Sequence, residues 1–197
     1  NQSGYEELDK VLKNGNIPLS VDQFETMAES NKTLILDVRT QKDFIESHIP
    51  GSIFIGLNGS FAPWVGTLIS NIKQPLLLVV PEGKSEEAIT RLARVGYDNT
   101  LGYLNGGINT WVKSGRKYDQ LTSISPFELE KLSKQKTLSV LDVRKEGEYD
   151  TKHLMLDGLQ NFPLNQINKF TQLDAQKTYY IHCAGGYRSV IAASILK

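Results

Sequence analysis

Cys183 is the only cysteine in the chain. Tyr179-Tyr180-Ile181 runs up to it as an apolar stretch that reads as a buried strand. Ala184, Gly185, Gly186, Tyr187 and Arg188 follow, and Ser189 opens the apolar run Val190-Ile191-Ala192-Ala193-Ser194-Ile195-Leu196. That run has the length and composition of a helix. The spacing predicts strand, tight glycine-bearing loop and helix, with a thiol at the strand's end. The reactive form of cysteine is the thiolate, a minority at neutral pH for an unperturbed thiol of pKa ~8.5. Shifting that balance by about two units requires about 2.7 kcal/mol of preference for the anion. A helix dipole supplies roughly 0.3–1 kcal/mol, up to about 2 in favourable geometry. The remainder falls to inward-turned backbone N–H groups of the loop and to Arg188. Gly185 and Gly186 allow the positive φ values and close backbone approach such a nest needs, and Ala184 keeps its floor small. Cys183 is therefore the candidate nucleophile, and Ala184, Gly185, Gly186, Tyr187, Arg188 and Ser189 are the candidate cradle for a small anion.

No general base accompanies the thiol. His182 is adjacent in sequence, but neighbouring side chains of a strand point to opposite faces. This disfavours an acyl-transfer hydrolase. A nucleophile working without a base suits an easily attacked centre with a good leaving group, such as the sulfane sulfur of thiosulfate or of a persulfide. Three scattered histidines and one cysteine make no metal cluster.

The whole chain narrows the classes further. Its 197 residues carry 22 Lys+Arg and 22 Asp+Glu, so there is no net field to draw in nucleic acid or an anionic membrane. No apolar run approaches the length of a membrane span. A single cysteine forms no internal disulfide and fits a reducing, cytoplasmic setting.

The elements that must position the loop alternate between strand and helix. Tyr5, Leu8, Val11 and Leu12 recur at helical spacing near the start. Ser20 is a candidate N-cap, with Phe24 and Met27 on the buried side of its helix. Residues 34–39 read as a strand covered on both faces, 42–47 as a short helix, and 53–55 as a strand. Residues 56–70 look irregular, or like a broken helix, around Phe61, Pro63 and Trp64. A strand over 75–80, an amphipathic helix over 85–95 stopped by Gly96, a strand over 100–104 and a helix over 108–113 complete the set. Alternation of this kind predicts an α/β unit with a mostly parallel sheet flanked by helices.

The unit then repeats. Ser20 and Ser125, Leu36-Asp37-Val38-Arg39 and Leu141-Asp142-Val143-Arg144, Phe44 and Tyr149, and His48 and His153 all stand 105 residues apart. One offset over that stretch predicts two copies of one domain. The expected partition is 1–17 as the tail of an upstream domain or a linker, 18–117 as the first copy and 118–197 as the second, with 114–120 between them. The first copy reads Val80-Pro81-Glu82-Gly83-Lys84-Ser85 at the loop and has no cysteine. The second copy stops where the first continues through a further strand and helix, so it is expected to be incomplete at its C-terminus. The two Asp-Arg pairs read as structural, and His48 and His153 as turn residues.

Asp-Val-Arg, an acidic–aromatic pair, a histidine and then strand-Cys-loop-Arg-helix together resemble the rhodanese family of sulfurtransferases. Gly106-Gly107-Ile108-Asn109-Thr110-Trp111 resembles that family's closing motif. The resemblance implies two rhodanese-like domains of α/β fold. It also implies a sulfurtransferase that moves sulfane sulfur from thiosulfate or a low-molecular-weight persulfide to a thiol or cyanide through a Cys183 persulfide. The six residues from Cys183 to Arg188 match the sulfurtransferase loop, whereas related dual-specificity phosphatases carry one residue more. Residues 1–18 and the segment Phe61-Ala62-Pro63-Trp64-Val65-Gly66 resemble parts of persulfide dioxygenase–rhodanese fusions. That second resemblance implies a metallo-β-lactamase-like domain upstream in cis, with a metal, iron, confined to it and no cofactor in the stretch read here. Two alternatives stand beside the enzyme: a non-catalytic sulfur-accepting or docking module, and a phosphatase or arsenate reductase of related fold. Small sulfur-containing anions or thiols are the expected partners; nucleic acid and membrane are not.

Overall fold

The computed structural model describes residues 2–30 and 32–197, the side chains of residues 2–6, 167 and 168 excepted. Asn1 and the Tyr5 side chain of the expected N-terminal stripe lie outside the described residues. The chain separates into two compact units, Asn1–Gln120 and Leu121–Lys197.

The first unit runs α1 (Gln2–Gly15), β1 (Pro18–Leu19), α2 (Val21–Ala28), β2 (Leu34–Asp37), α3 (Gln41–Glu46), β3 (Ile53–Phe54), α4 (Phe61–Leu68), β4 (Leu76–Val79), α5 (Ser85–Ala93), β5 (Thr100–Leu104) and α6 (Gly107–Lys113). Its five strands form a parallel sheet in the order β1-β5-β4-β2-β3. The continuous apolar runs of β2 and β4 follow from burial on both faces. Leu36 and Leu78 face a cluster with Phe61, Val65, Ile89 and Leu92, on which Val11 and Leu12 of α1 also pack. Ile35, Leu77 and Val79 face the other side, against Phe24, Leu104, Ile108 and Trp111. Alternate residues of one strand thus feed two cores.

Local signals behave as their chemistry dictates. Ser20 accepts from the Gln23 N–H and Gln23 returns the bond, a capping box that starts α2. Phe24 is fully buried, but Met27 is 38% exposed and does not join the expected apolar face. Residues 61–68, expected to be irregular, form a regular helix. Pro63 lies in its first turn, where no intrahelical partner for an N–H exists, so the ring breaks nothing. The segment after α6 is fastened to the first unit. His48 and Asp119 exchange backbone hydrogen bonds of 2.9 and 2.8 Å, Trp111 Nε1 donates to the Lys117 carbonyl at 2.7 Å, and Arg116 pairs with Asp22 and Glu25.

The second unit runs α7 (Pro126–Ser133), β6 (Ser139–Asp142), α8 (Glu146–Thr151), β7 (Leu159–Asn161), a 3-10 helical segment (Leu164–Gln172), β8 (Tyr179–His182) and α9 (Tyr187–Leu196). Its parallel sheet is ordered β7-β6-β8, which repeats β3-β2-β4 of the first. Ser125 starts α7 with the same capping box as Ser20, now with Glu128. Where the first copy turns through Ile49-Pro50-Gly51, the second takes Leu154-Met155-Leu156-Asp157-Gly158, leaving Met155 88% exposed. Gly158 (φ +81°) is obligatory there, because a Cβ would stand 2.1 Å from the Leu138 carbonyl oxygen. Among the described residues no helix is long and apolar enough to cross a membrane.

Candidate active site

The site grows from the carboxyl end of β8. Asp142 of β6 pairs in register with His182 of β8, so Cys183 is the first residue past the sheet. Ala184, Gly185 and Gly186 form the exposed loop, and α9 begins at Tyr187, two residues before the start read from the apolar run. Gly186 is the N-cap of α9, with φ +83°. Of the two loop glycines it alone takes positive φ, which places the strain-free requirement on one residue rather than two.

That conformation turns the Gly186 N–H back onto the thiol, 3.2 Å from Cys183 Sγ. Ser189 Oγ lies 3.6 Å from the same sulfur and donates to the Gly186 carbonyl at 3.0 Å. The half-buried thiol therefore sits at the amino end of a ten-residue helix, in contact with a backbone donor. A helix amino end with an inward backbone N–H is a place where a small anion can be received. Tyr187, Arg188 and Ser189 are half-buried around it, and Val190 is buried beneath.

His182 meets both the Cys183 backbone and the Asp142 carboxylate. Its Nε2 is 3.5 Å from Asp142 Oδ2. Burial lowers its pKa below the usual histidine value, against the pull of the Asp142 carboxylate. Asp142 is held by Arg144 through Nε and Nη2, at 2.6 to 3.0 Å. Burial pushes its carboxyl up, but the Arg144 hydrogen bonds outweigh that and leave it below the ordinary aspartate range. The first unit repeats the motif in Asp37 and Arg39. There Asp37 is completely buried, and burial prevails over Arg39 to push its carboxyl up. His48 and His153 are turn residues in both units: each ring nitrogen Nδ1 bonds the carbonyl four residues back, at 2.8 and 2.9 Å, and each ring stacks on Phe44 or Tyr149.

One residue went unread in the sequence. Glu148 of α8 grips Arg188 end-on, with Nη1 to Oε2 at 2.6 Å and Nη2 to Oε1 at 2.9 Å. The Arg188 hydrogen bonds hold the Glu148 carboxyl down at about 2, and the Lys145 backbone N–H adds to this at 3.1 Å. The signal was available in the repeat. Glu148 falls 105 residues after Asp43 in the acidic–aromatic pair, but the partner it meets is 40 residues further on.

The first unit shows the same place without the thiol. Register sets Val79 opposite Asp37, so Val80 stands where Cys183 does. Four residues, Pro81-Glu82-Gly83-Lys84, then precede α5, against three before α9. The second residue of α5 is Glu86, where α9 has Arg188. Asp43 is turned to cap its own helix through Thr40 instead of reaching a guanidinium. A cavity of about 680 Å³ opens at these strand ends, lined by Arg39, Asp43, Val80, Glu82, Tyr103 and Asn109 among others. Among the described residues no group of three or more His, Cys, Asp or Glu side chains could hold a metal ion.

A parallel sheet flanked by helices, present twice, with a loop at the strand ends, defines the class. The rhodanese-like domain model matches residues 20–114 and 125–197, and the chain belongs to the rhodanese family, with two rhodanese-like domains in tandem. No curated protein matches the chain significantly. Among solved structures it is similar to a thiosulfate sulfurtransferase from Pseudomonas aeruginosa, at 19% identity and a TM-score of 0.46 over 98% of this chain and 43% of that one. It is also similar to the 3-mercaptopyruvate sulfotransferase SseA from Escherichia coli, at 15% identity and a TM-score of 0.43 over 91% and 93% of the two chains. The chain thus spans less than half the length of the Pseudomonas protein.

Proposed function

We propose that the second domain is a sulfurtransferase that works through a persulfide on Cys183. The observation that carries this reading is the Gly186 N–H held 3.2 Å from Cys183 Sγ at the start of α9, with His182 Nε2 directed at Asp142 instead. The Cys183 thiolate attacks the sulfane sulfur of a donor. A new S–S bond forms, the donor's S–S bond breaks, and the electron pair leaves with sulfite or a thiolate. The terminal sulfur of the Cys183 persulfide then carries the negative charge, and the loop N–H groups are placed to receive it. An acceptor thiolate or cyanide attacks that terminal sulfur, takes it, and returns the Cys183 thiolate. Ala184, Gly185, Gly186, Tyr187 and Ser189 form the cradle, and Arg188 borders it. The first domain, with Val80 at the nucleophile's place, is a structural or docking partner.

Incubating the protein with thiosulfate or glutathione persulfide should add one sulfur atom at Cys183, read by intact and peptide mass spectrometry. Cys183→Ser should remove both the adduct and turnover. Absence of an adduct with either donor sinks the reading. Hydrolysis of an aryl phosphate, or reduction of arsenate, would replace it with the phosphatase or arsenate reductase alternative, which the six-residue span from Cys183 to Arg188 disfavours. An adduct that forms but never turns over identifies a sulfur-accepting module. The resemblance of residues 1–18 to persulfide dioxygenase fusions supports a metallo-β-lactamase-like domain acting in cis and a cytoplasmic setting. Sequencing of the gene on the 5′ side of this stretch checks that, and an upstream region without a histidine-rich metal-binding pattern refutes it.

A further inference from the structure

The Glu148–Arg188 pair is not a general feature of this scaffold. Both units keep the Asp–Arg pair, as Asp37–Arg39 and Asp142–Arg144. Both keep the stacked aromatic–histidine turn, as Phe44–His48 and Tyr149–His153. These features serve the fold and recur whether or not a thiol is present. The Glu–Arg pair occurs only beside the thiol. In the first unit Asp43 and Glu86 stand at the two places, and Asp43 is spent on Thr40. An ion pair that vanishes together with the nucleophile belongs to the nucleophile's apparatus.

The pair also changes the charge that the loop offers a substrate. Arg188 stands within electrostatic reach of the Cys183 sulfur. Left alone, its planar fork is suited to grip a sulfonate or phosphate through two N–H groups. Here one Nη1 and one Nη2 bond already go to the two oxygens of Glu148, so the face best suited to a planar anion is occupied. Two other charged or titratable groups stand nearest. Arg144 is closed by Asp142, and its Nη2 also donates to the Lys152 carbonyl at 2.8 Å. His182 faces Asp142, its Nε2 3.5 Å from Oδ2. The loop is thus built around a thiol, with the Gly186 N–H directed at the sulfur and the neighbouring guanidinium already neutralised.

We propose that Glu148 is a specificity-determining residue: by holding Arg188 in a closed bidentate pair, it biases the Cys183 loop toward sulfur donors that bring one negative charge or none to the reacting end, alkyl persulfides, and against the dianion thiosulfate. This rests on the sulfurtransferase reading of Cys183. A persulfide presents a single sulfur charge, which the loop N–H groups can receive. Thiosulfate brings a sulfonate as well, and that group needs a cation the pair withholds. Glu148 touches neither donor; it acts through Arg188.

The test is a ratio. The second-order rate constants for loading Cys183 from thiosulfate and from glutathione persulfide are measured by rapid quench and mass spectrometry, on the whole chain and on its Glu148→Gln variant. The glutamine keeps an acceptor for the Lys145 N–H while removing the charge that closes Arg188. The thiosulfate-to-persulfide ratio should rise roughly tenfold in Glu148→Gln, on the scale of one charge-assisted hydrogen bond at a partly exposed site. Glu148→Asp, which keeps the charge, should stay close to the parent ratio. An unchanged or lower ratio in Glu148→Gln, whether both rates move together or neither moves, overturns the proposal and leaves the pair a structural tie. A second measurement needs no variant. In the parent protein the thiosulfate rate should depend weakly on added salt, because the guanidinium beside the loop, Arg188, is already paired with Glu148; a steep fall with salt overturns the proposal as well. If Cys183 takes up sulfur from neither donor, the sulfurtransferase reading fails first; sulfur on Cys183 with an unmoved ratio sinks only the role of Glu148.

Discussion

The two domains are built on one plan and differ where chemistry is at stake. Strands β3-β2-β4 and β7-β6-β8 repeat each other's order and direction, and capping boxes at Ser20 and Ser125 start matching helices. In the first domain Val80 stands in place of Cys183, the loop is one residue longer, and the Glu–Arg clamp is gone. A parallel sheet needs its apolar strands, its buried ion pair and its caps in every copy, because without them the fold loses stability. It does not need a thiol at the strand end or a neutralised arginine beside it. A feature shared by both copies therefore reports on folding, and one confined to the second copy is where the proposed chemistry is to be tested.

The sharpest way to break this contrast is to move the nucleophile. Cys183→Ser should lose all sulfur transfer, and adding Val80→Cys in that background should restore none. The transplanted thiol would face a longer loop, Glu86 in place of Arg188, and no Gly186 equivalent directed at it. Sulfur uptake at residue 80, read by peptide mass spectrometry, would show that strand-end placement alone suffices. Next in size is the shared ion pair. Asp37→Asn leaves Arg39 buried without its counter-charge and should cost about 3–5 kcal/mol. Asp142→Asn should cost less, about 1–3 kcal/mol, because Arg144 retains some contact with solvent. Denaturant titration followed by amide exchange, domain by domain, measures both; equal costs would remove burial as the reason.

The smallest effect concerns acid. His182 has its folded pKa lowered by burial, so on acidification the unfolded chain takes up the proton first. Its contribution to stability is complete above about pH 6.5 and is lost as the pH falls toward the lower folded value. The protection factors of β8 amides, that is, the intrinsic exchange rate at each pH divided by the observed rate, should therefore fall as the pH drops below about 6.5. His182→Val, which copies Val79 of the first domain, should flatten that dependence. An acid response unaltered by this change would place its origin elsewhere.

Much of this was legible along the chain, and the gaps have physical causes. The two-copy plan was readable because identical spacings survive in sequence when the elements between them keep their lengths. The Ser20 cap and the Phe24 core position were readable because local hydrogen bonding and burial periodicity are short-range properties. Met27 was misread because its helical phase places it at the margin of the apolar stripe, where packing decides. The helix over Phe61–Leu68 was missed because Pro63 suggests a break, and only its position in the first turn removes the penalty. The N-terminal helix, read as a tail or linker, packs Val11 and Leu12 on the first domain's core, a contact that spacing within the helix does not reveal.

The sequence by itself determined the fold class, the repeat, the single thiol and its place between a strand and a helix. These depend on residue type and local spacing, which are complete in one dimension. Tertiary structure decided what the thiol meets. It chose Gly186 rather than Gly185 for the left-handed turn, directed that N–H onto sulfur, swung His182 toward Asp142, and closed Arg188 with a carboxylate from α8. Except for the local Gly186 turn, these pairings join elements tens of residues apart. Which charge meets which follows from the direction of each side chain once the sheet and helices have packed, and no spacing in the chain encodes it directly.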